Sequence, residues 1–224
     1  KENIKYPEKD LNGYLSVVYS MPQWLVEKWL SEYGSEKTEK MVASFLQAGP
    51  VSVRVNAHLS DTDREALLKS WEDMGITVLP HPYLSYAYQL SGVTGMMNLP
   101  GFAEGLLSVQ DVSSMLVCEA AGIKEGNQII DVCAAPGGKS AHAAEKLNGT
   151  GKVFSRDLTE YKVGLIQNTI DRMGLTNMQA QVQDACMLRE EDVESADVLF
   201  ADLPCSGLGV MGKKTDIRYK MTAE

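Results

Sequence analysis

The run Asp131-Val132-Cys133-Ala134-Ala135-Pro136-Gly137-Gly138-Lys139-Ser140 joins an apolar strand, Gln128 to Val132, to a helix opened by Lys139 and Ser140. Gly137 and Gly138 lack Cβ atoms and let a ligand approach the backbone, and the helix N-terminus behind them favours negative charge. Such a turn binds a cofactor, and two kinds compete for it. A phosphate loop, G-x-x-x-x-G-K-[ST], fits Gly138-Lys139-Ser140, but its opening glycine would fall on Cys133. Val198 to Asp202 could stand for the apolar strand and acid that hold magnesium. The alternative is the nucleoside turn of an S-adenosylmethionine (SAM) methyltransferase, which needs an acid at the end of the second strand to bond the ribose hydroxyls. Val153 to Asp157 is such a strand, and Asp157 lies 19 residues after Gly138. Dinucleotide folds place that acid about 20 residues on. A phosphate loop has no use for Asp157, so the spacing favours SAM.

Asp202-Leu203-Pro204-Cys205-Ser206-Gly207 brings a carboxylate and a thiol to the same site. Beside a methyl donor, this pair suits methylation at carbon 5 of a pyrimidine. That carbon is a poor nucleophile until a thiolate adds to carbon 6. A carboxylate can hold ring N3 protonated while charge develops on the base. The enamine so formed attacks the sulfonium methyl, and loss of the C5 proton expels the thiolate. Cys205 alone reads equally well as a structural cysteine; together with Asp202, Pro204 and the glycine turn it reads as functional.

The elements that must carry these residues alternate in the second half of the chain. A helix from Val112 to Ala121 follows Asp111, a plausible cap. Strands are expected near Ile129, from Val153 to Asp157, from Met178 to Val182 and from Asp197 to Ala201, with helices over 139–147 and 160–173 between them. The alternation predicts a parallel α/β sheet with ligands at the carboxyl ends of its strands. Asp131, Asp157, Asp184 and Asp202 sit at or beside those ends. The first half reads as a small α+β domain. It has helices near Pro22–Leu30 and over 37–47, the latter with Met41, Phe45 and Ala48 on one side. A strand over 51–56, a helix over 61–74 capped by Ser60, a strand over 76–79 broken by Pro80, and a stretch with Tyr83, Tyr86 and Tyr88 complete it. Those tyrosines are expected to pack the core rather than to face RNA. The expected domains are 1–107, contacting RNA, and 108–224, the first part of a methyltransferase domain.

Composition sets bounds. With 44% apolar and 23% charged residues, the chain is an ordinary globular protein with no membrane-spanning run. A net charge of −9 argues against a general grip on nucleic acid. Lys213, Lys214, Arg218 and Lys220 crowd the C-terminal end and read as a solvated loop. Cys118, Cys133, Cys186 and Cys205 form no C-x-x-C pair, so no zinc site is expected and a reducing compartment is. Cys118 and Cys186 are expected to pack in cores, and His58, His81 and His142 receive no role. Lys1 at the start suggests a piece of a longer protein.

On Pro22-Gln23-Trp24-Leu25, Arg54-Val55-Asn56, Val109 to Ser114, Cys133 to Lys139, Asp157, Asp184 and Asp202 to Gly207, the chain resembles the RsmB/Nop2/Sun family of RNA cytosine-C5 methyltransferases. The resemblance covers nearly the whole chain. It implies a Rossmann-like SAM-dependent methyltransferase sheet, here incomplete with its first four strands, preceded by a small α+β domain. It implies SAM as cofactor, held by residues matching Cys133, Ala134, Ala135, Pro136, Gly137, Gly138 and Lys139. Asp157 would take the ribose, Asp184 would lie by the adenine, Lys162 would face the cofactor, and Asp202 is the site carboxylate. The implied substrate is RNA, 16S ribosomal RNA first and transfer RNA second, with a non-catalytic RNA-binding ribosome assembly factor as the alternative to an enzyme, and the implied protein is a cytoplasmic monomer with no metal and no membrane. In the family the attacking thiol lies in a later Thr-Cys motif, while the cysteine matching Cys205 helps release product. The chain stops at Glu224 before any such motif and is expected not to turn over by itself.

Overall fold

The computed structural model describes Pro7, residues 10–47 and residues 49–222. The elements are α1 (Leu11–Val18), α2 (Gln23–Ser44), β1 (Val51–Val55), α3 (Asp61–Asp73), β2 (Thr77–Pro80), β3 (Ala87–Ser91), β4 (Leu107–Val109), α4 (Val112–Ala120), β5 (Gln128–Asp131), α5 (Gly138–Lys146), β6 (Lys152–Asp157), α6 (Glu160–Met173), β7 (Met178–Val182), β8 (Val198–Phe200) and α7 (Ile217–Lys220). They divide into two compact units, Lys1–Gly49 with Cys205–Glu224, and Pro50–Pro204.

In the first unit Leu15, Leu25, Val26, Trp29, Val42 and Met211 form the core. The helices expected before Leu30 and after Lys37 are both present, but they run together as α2 across Gly34, whose φ of 77° only glycine adopts freely. The second segment stops at Ser44, short of Gln47, and Phe45 turns to stack on Trp29 with ring centroids 6.1 Å apart. Ala48 lies outside the described residues. The basic C-terminal run is not simply solvated, because Arg218 is buried. Its guanidinium donates to the carbonyls of Phe45 (2.9 Å), Met211 (3.1 Å) and Tyr19 (3.5 Å). Tyr19 and Phe45 are the C-caps of α1 and α2, so one cation serves two helix ends rich in unpaired carbonyls.

The second unit holds two sheets. The first is antiparallel in the order β2-β3-β1-β4. Pro80 lies within β2 instead of breaking it, because β2 is an edge strand and needs no N–H there. Residues 107–109 pair with β1 as a strand that three residues of pattern were too few to announce. The α3 helix starts as expected, with the Ser60 hydroxyl accepting the Asp63 N–H, and it buries Trp71 against Tyr88. Of the three tyrosines only Tyr88 joins this core; Tyr86 donates to Glu119, and Tyr83 is 88% exposed.

The second sheet is wholly parallel, in the order β7-β6-β5-β8. Ile129, Val153, Met178 and Phe200 pack with α5 and α6 residues such as Ala141, Leu147, Ile166 and Ile170 in one apolar layer that also takes Cys118 from α4. Thr159 caps α6, and Gly174 ends it at φ 63°. Asp111 starts α4 through its carbonyl, which accepts from Ser114 and Met115, and not through a carboxylate cap. Cys186, expected in a packed position, is exposed, with its N–H on the Asp184 carboxylate. No helix among the described residues is long and apolar enough to cross a membrane.

Arg172 of α6 joins the sheets by donating to the carbonyls of Phe102 (2.7 Å) and Leu107 (3.0 Å) while lying over the Phe102 ring. That approach depends on Gly105, at φ 72°, where a Cβ would collide with the Arg172 carbonyl oxygen and Met173 Cα. Gly105→Ala is therefore expected to destabilise the protein by about 3 kcal/mol. Thermal unfolding should show this as a fall of roughly 6–12 °C in Tm.

Candidate cofactor site

The four carboxylates gather at one edge because the parallel register places every strand end on the same side. β5 ends at Asp131 and β6 at Asp157, while Asp184 and Asp202 follow β7 and β8 by two residues. The turn after β5 is fixed by the neighbouring strand. The Ala134 N–H donates to the Arg156 carbonyl (2.8 Å), and the Ala135 N–H donates to Asp157 Oδ2 (3.1 Å). Gly137, at φ 104°, then turns the chain into α5, and a Cβ there would press on Thr169 Cβ at 3.4 Å. The Thr169 hydroxyl donates to the Pro136 carbonyl at 2.8 Å, so α6 holds the turn from its other side.

Asp157 is 3% exposed and accepts three donors, which leaves part of its acceptor capacity unused. Its Oδ1 accepts the Leu158 N–H (2.8 Å) and meets Lys162 Nζ at 2.9 Å. Burial alone would raise its pKa, but the Lys162 bond and the Leu158 and Ala135 N–H groups outweigh it and hold the carboxyl below its usual range. Asp131 shows the opposite balance. It accepts the Ser140 hydroxyl (2.7 Å), yet burial dominates and raises its pKa to about 6. Burial, followed by the Asp157 and Asp131 carboxylates, also pushes the Cys133 thiol up, so it stays protonated at neutral pH.

A cavity of about 250 Å³ opens beside this turn. Cys133, Ala134, Ala135, Pro136, Gly138, Lys139 and Asp202 line it, with Asp131 at its wall. The opposite wall comes from Val109, Gln110, Asp111 and Ser114, whose run belongs to the resemblance but of which only Asp111 had an expected part, as a helix cap. Lys139 Nζ reaches across to Asp202 Oδ2 at 2.5 Å. Gly137 shapes the turn without lining the cavity, and Asp157 and Lys162 do not line it either. Asp184 lines a separate cavity of about 340 Å³, with Ile130, Arg156, Met187 and Leu199. Cys205 is exposed and begins the segment that belongs to the first unit. Among the described residues no cluster of His, Cys, Asp or Glu could hold a metal ion.

These residues fit a nucleoside with a charged tail better than a triphosphate. The cavity offers small residues and a helix N-terminus, but Asp131 and Asp202 would repel a phosphate chain.

The Asp131 shift gives a stability test. Its folded pKa, about 6, lies above the ordinary 3.8, so the folded state binds the extra proton between those values. The stabilisation is complete below about 3.8 and is lost as pH rises through about 6. Asn at this position mimics the neutral acid. Asp131→Asn should therefore raise Tm at pH 7.5, by an amount corresponding to about 2–3 kcal/mol, and the gain should vanish near pH 4 in thermal-shift measurements.

Residues 120–224 match the family model of 16S rRNA methyltransferase RsmB/F, and residues 21–96 match the ferredoxin-like domain of RsmF/B-like methyltransferases. A Bacillus subtilis (strain 168) protein described as a probable ribosomal RNA small subunit methyltransferase B is 39% identical over 92% of this chain and 45% of its own length. The crystal structure of PH0851 superposes with a TM-score of 0.86 at 26% identity, over 99% of this chain and 50% of that one. A methyltransferase homologue from Pyrococcus horikoshii, 22% identical, shares the fold at a TM-score of 0.71 over 90% of this chain and 65% of that one. The chain spans about half the length of the curated relatives it matches. The two family models together match most of the chain, and it belongs to the RsmB/F family.

Proposed function

We propose that this chain is part of an SAM-dependent methyltransferase that forms 5-methylcytosine in RNA, with 16S ribosomal RNA as substrate. The observation that carries the reading is the turn Cys133–Lys139, tied to Asp157 on one side and facing Asp202 across a cavity on the other. SAM, when bound, supplies an electrophilic methyl group. In this reading Cys133 to Lys139 give it a backbone surface, Asp157 and Lys162 take the ribose, and Asp184 lies by the adenine. The Lys162 ammonium uses one of its three donors on Asp157, which leaves two for the ribose oxygens.

Asp202 is the carboxylate that holds cytosine N3 protonated while a cysteine thiolate adds at C6. Lys139, paired with it, keeps that carboxylate beside the donor site. The thiolate leaves when the C5 proton is removed, and Cys205 assists that release. The bacterial relatives named as ribosomal RNA small subunit methyltransferase B support ribosomal RNA as the substrate. Residues 1–107 are the RNA-contacting part and 108–224 the first part of the methyltransferase domain.

Isothermal titration of the full-length protein with S-adenosylhomocysteine is expected to show binding, weakened at least about tenfold by Asp157→Ala, the loss of one charged hydrogen bond. Nucleotide hydrolysis indifferent to SAM would restore the phosphate-loop reading. Bisulfite sequencing of RNA from a deletion strain should lose one cytosine signal in 16S ribosomal RNA. A loss in transfer RNA instead would reassign the substrate.

A further inference from the structure

Arg54 is 1% exposed, next to the last residue of the antiparallel sheet's β1, and burial lowers its pKa only to about 10, so it is charged at neutral pH. A buried guanidinium without partners would be costly, and this one meets two groups of the cofactor domain while its Nη2 has no hydrogen-bond partner among the described residues. Its Nε donates to Gln110 Oε1 at 2.8 Å, and its Nη1 forms an ion pair with Glu145 of α5. Both partners bear on the cavity. Gln110 lines it, and α5 is the helix whose first residues, Gly138 and Lys139, line it too. The Gln110 N–H also donates to the Ser52 carbonyl (3.1 Å), so side chain and backbone of this wall residue are both tied to β1.

We propose that Arg54 is a positioning residue for the cofactor cavity, setting the distance between the Gln110 wall and the α5 turn. The inference rests on the cofactor reading above. Because guanidinium only donates, it forces the Gln110 carbonyl oxygen toward itself and so fixes which end of the amide faces the other way. A second cavity, of about 260 Å³, borders Arg54 and is lined by His58, Tyr86, His142, Glu145 and Lys146. The guanidinium thus borders open space on that side while its two bonds face the cofactor domain. His142 adds no competing charge, since burial, then Arg54 and Lys146, lower its pKa to about 3.

The test uses the full-length protein and S-adenosylhomocysteine titrations well below each variant's Tm. Arg54→Met should weaken binding about tenfold while circular dichroism reports a folded protein. Gln110→Leu should weaken it too, and the double variant should be no weaker than Arg54→Met alone, because both remove one coupled contact. Trp71→Phe, buried on α3 against the same sheet but bonded to the Pro100 carbonyl, should lower Tm and leave affinity unchanged. If Arg54→Met does not fold, Arg54→Lys, which keeps a cation opposite Glu145, carries the decision by weakening binding at least about threefold. Variants that lose Tm but bind within about twofold of wild type would make Arg54 merely structural and overturn the proposal. A wild-type protein that does not bind at all would overturn the cofactor reading and this inference with it.

Discussion

The hydrogen bond from the Ala135 backbone N–H to the Asp157 carboxylate is the contact on which the site depends. Without it the turn after β5 would be a run of small residues with little to pack. With it, the end of β6 holds the middle of the turn, and the Ala134 N–H on the Arg156 carbonyl fixes the residue before. The same carboxylate restrains Lys162 and the start of α6. One acid therefore sets the turn, the start of α6 and the Lys162 cation beside the proposed ribose position. This works because the two strands are parallel and in register, Asp131 opposite Ser155, so that β6 extends past β5 to the height of the turn.

A second constraint acts between the two sheets of the larger unit. Arg54, buried, and Arg172, half-buried, both direct their donors at groups of the other sheet's domain. Such contacts add little net stability, since desolvation cancels much of the Coulombic gain. What they add is geometry: each guanidinium has a planar fork of donors that accepts few arrangements of partners. In the smaller unit Arg218 plays a comparable part by joining the ends of α1 and α2.

The parallel sheet was legible in the sequence because its helices and strands carry strong punctuation. Thr159 and Gly174 bracket α6, and β7 is bounded as its apolar pattern requires. The turn from Cys133 to Lys139 and the position of Asp157 at the end of β6 were legible from glycine placement and spacing, but the bond from the Ala135 N–H to Asp157 was not. What was not legible is long-range pairing. β4 is too short to show a period, and it forms only because β1 offers it an edge. Gln110 and Ser114 face the turn only once that strand is in place. Arg218 read as one of several exposed cations, since nothing local marks that two helix ends will meet it. Cys186 read as a packed cysteine, but the chain turns outward at Asp184 and leaves it exposed.

The most direct test of the account is a crystal structure of the full-length protein with S-adenosylhomocysteine. The account predicts the ribose hydroxyls within hydrogen-bond distance of the Asp157 carboxylate and Lys162. It also predicts the amino-acid tail in the cavity between Gln110 and the Cys133–Lys139 turn, with the sulfur nearest Asp202. A nucleoside bound elsewhere, or a turn that accepts only phosphate, would contradict it.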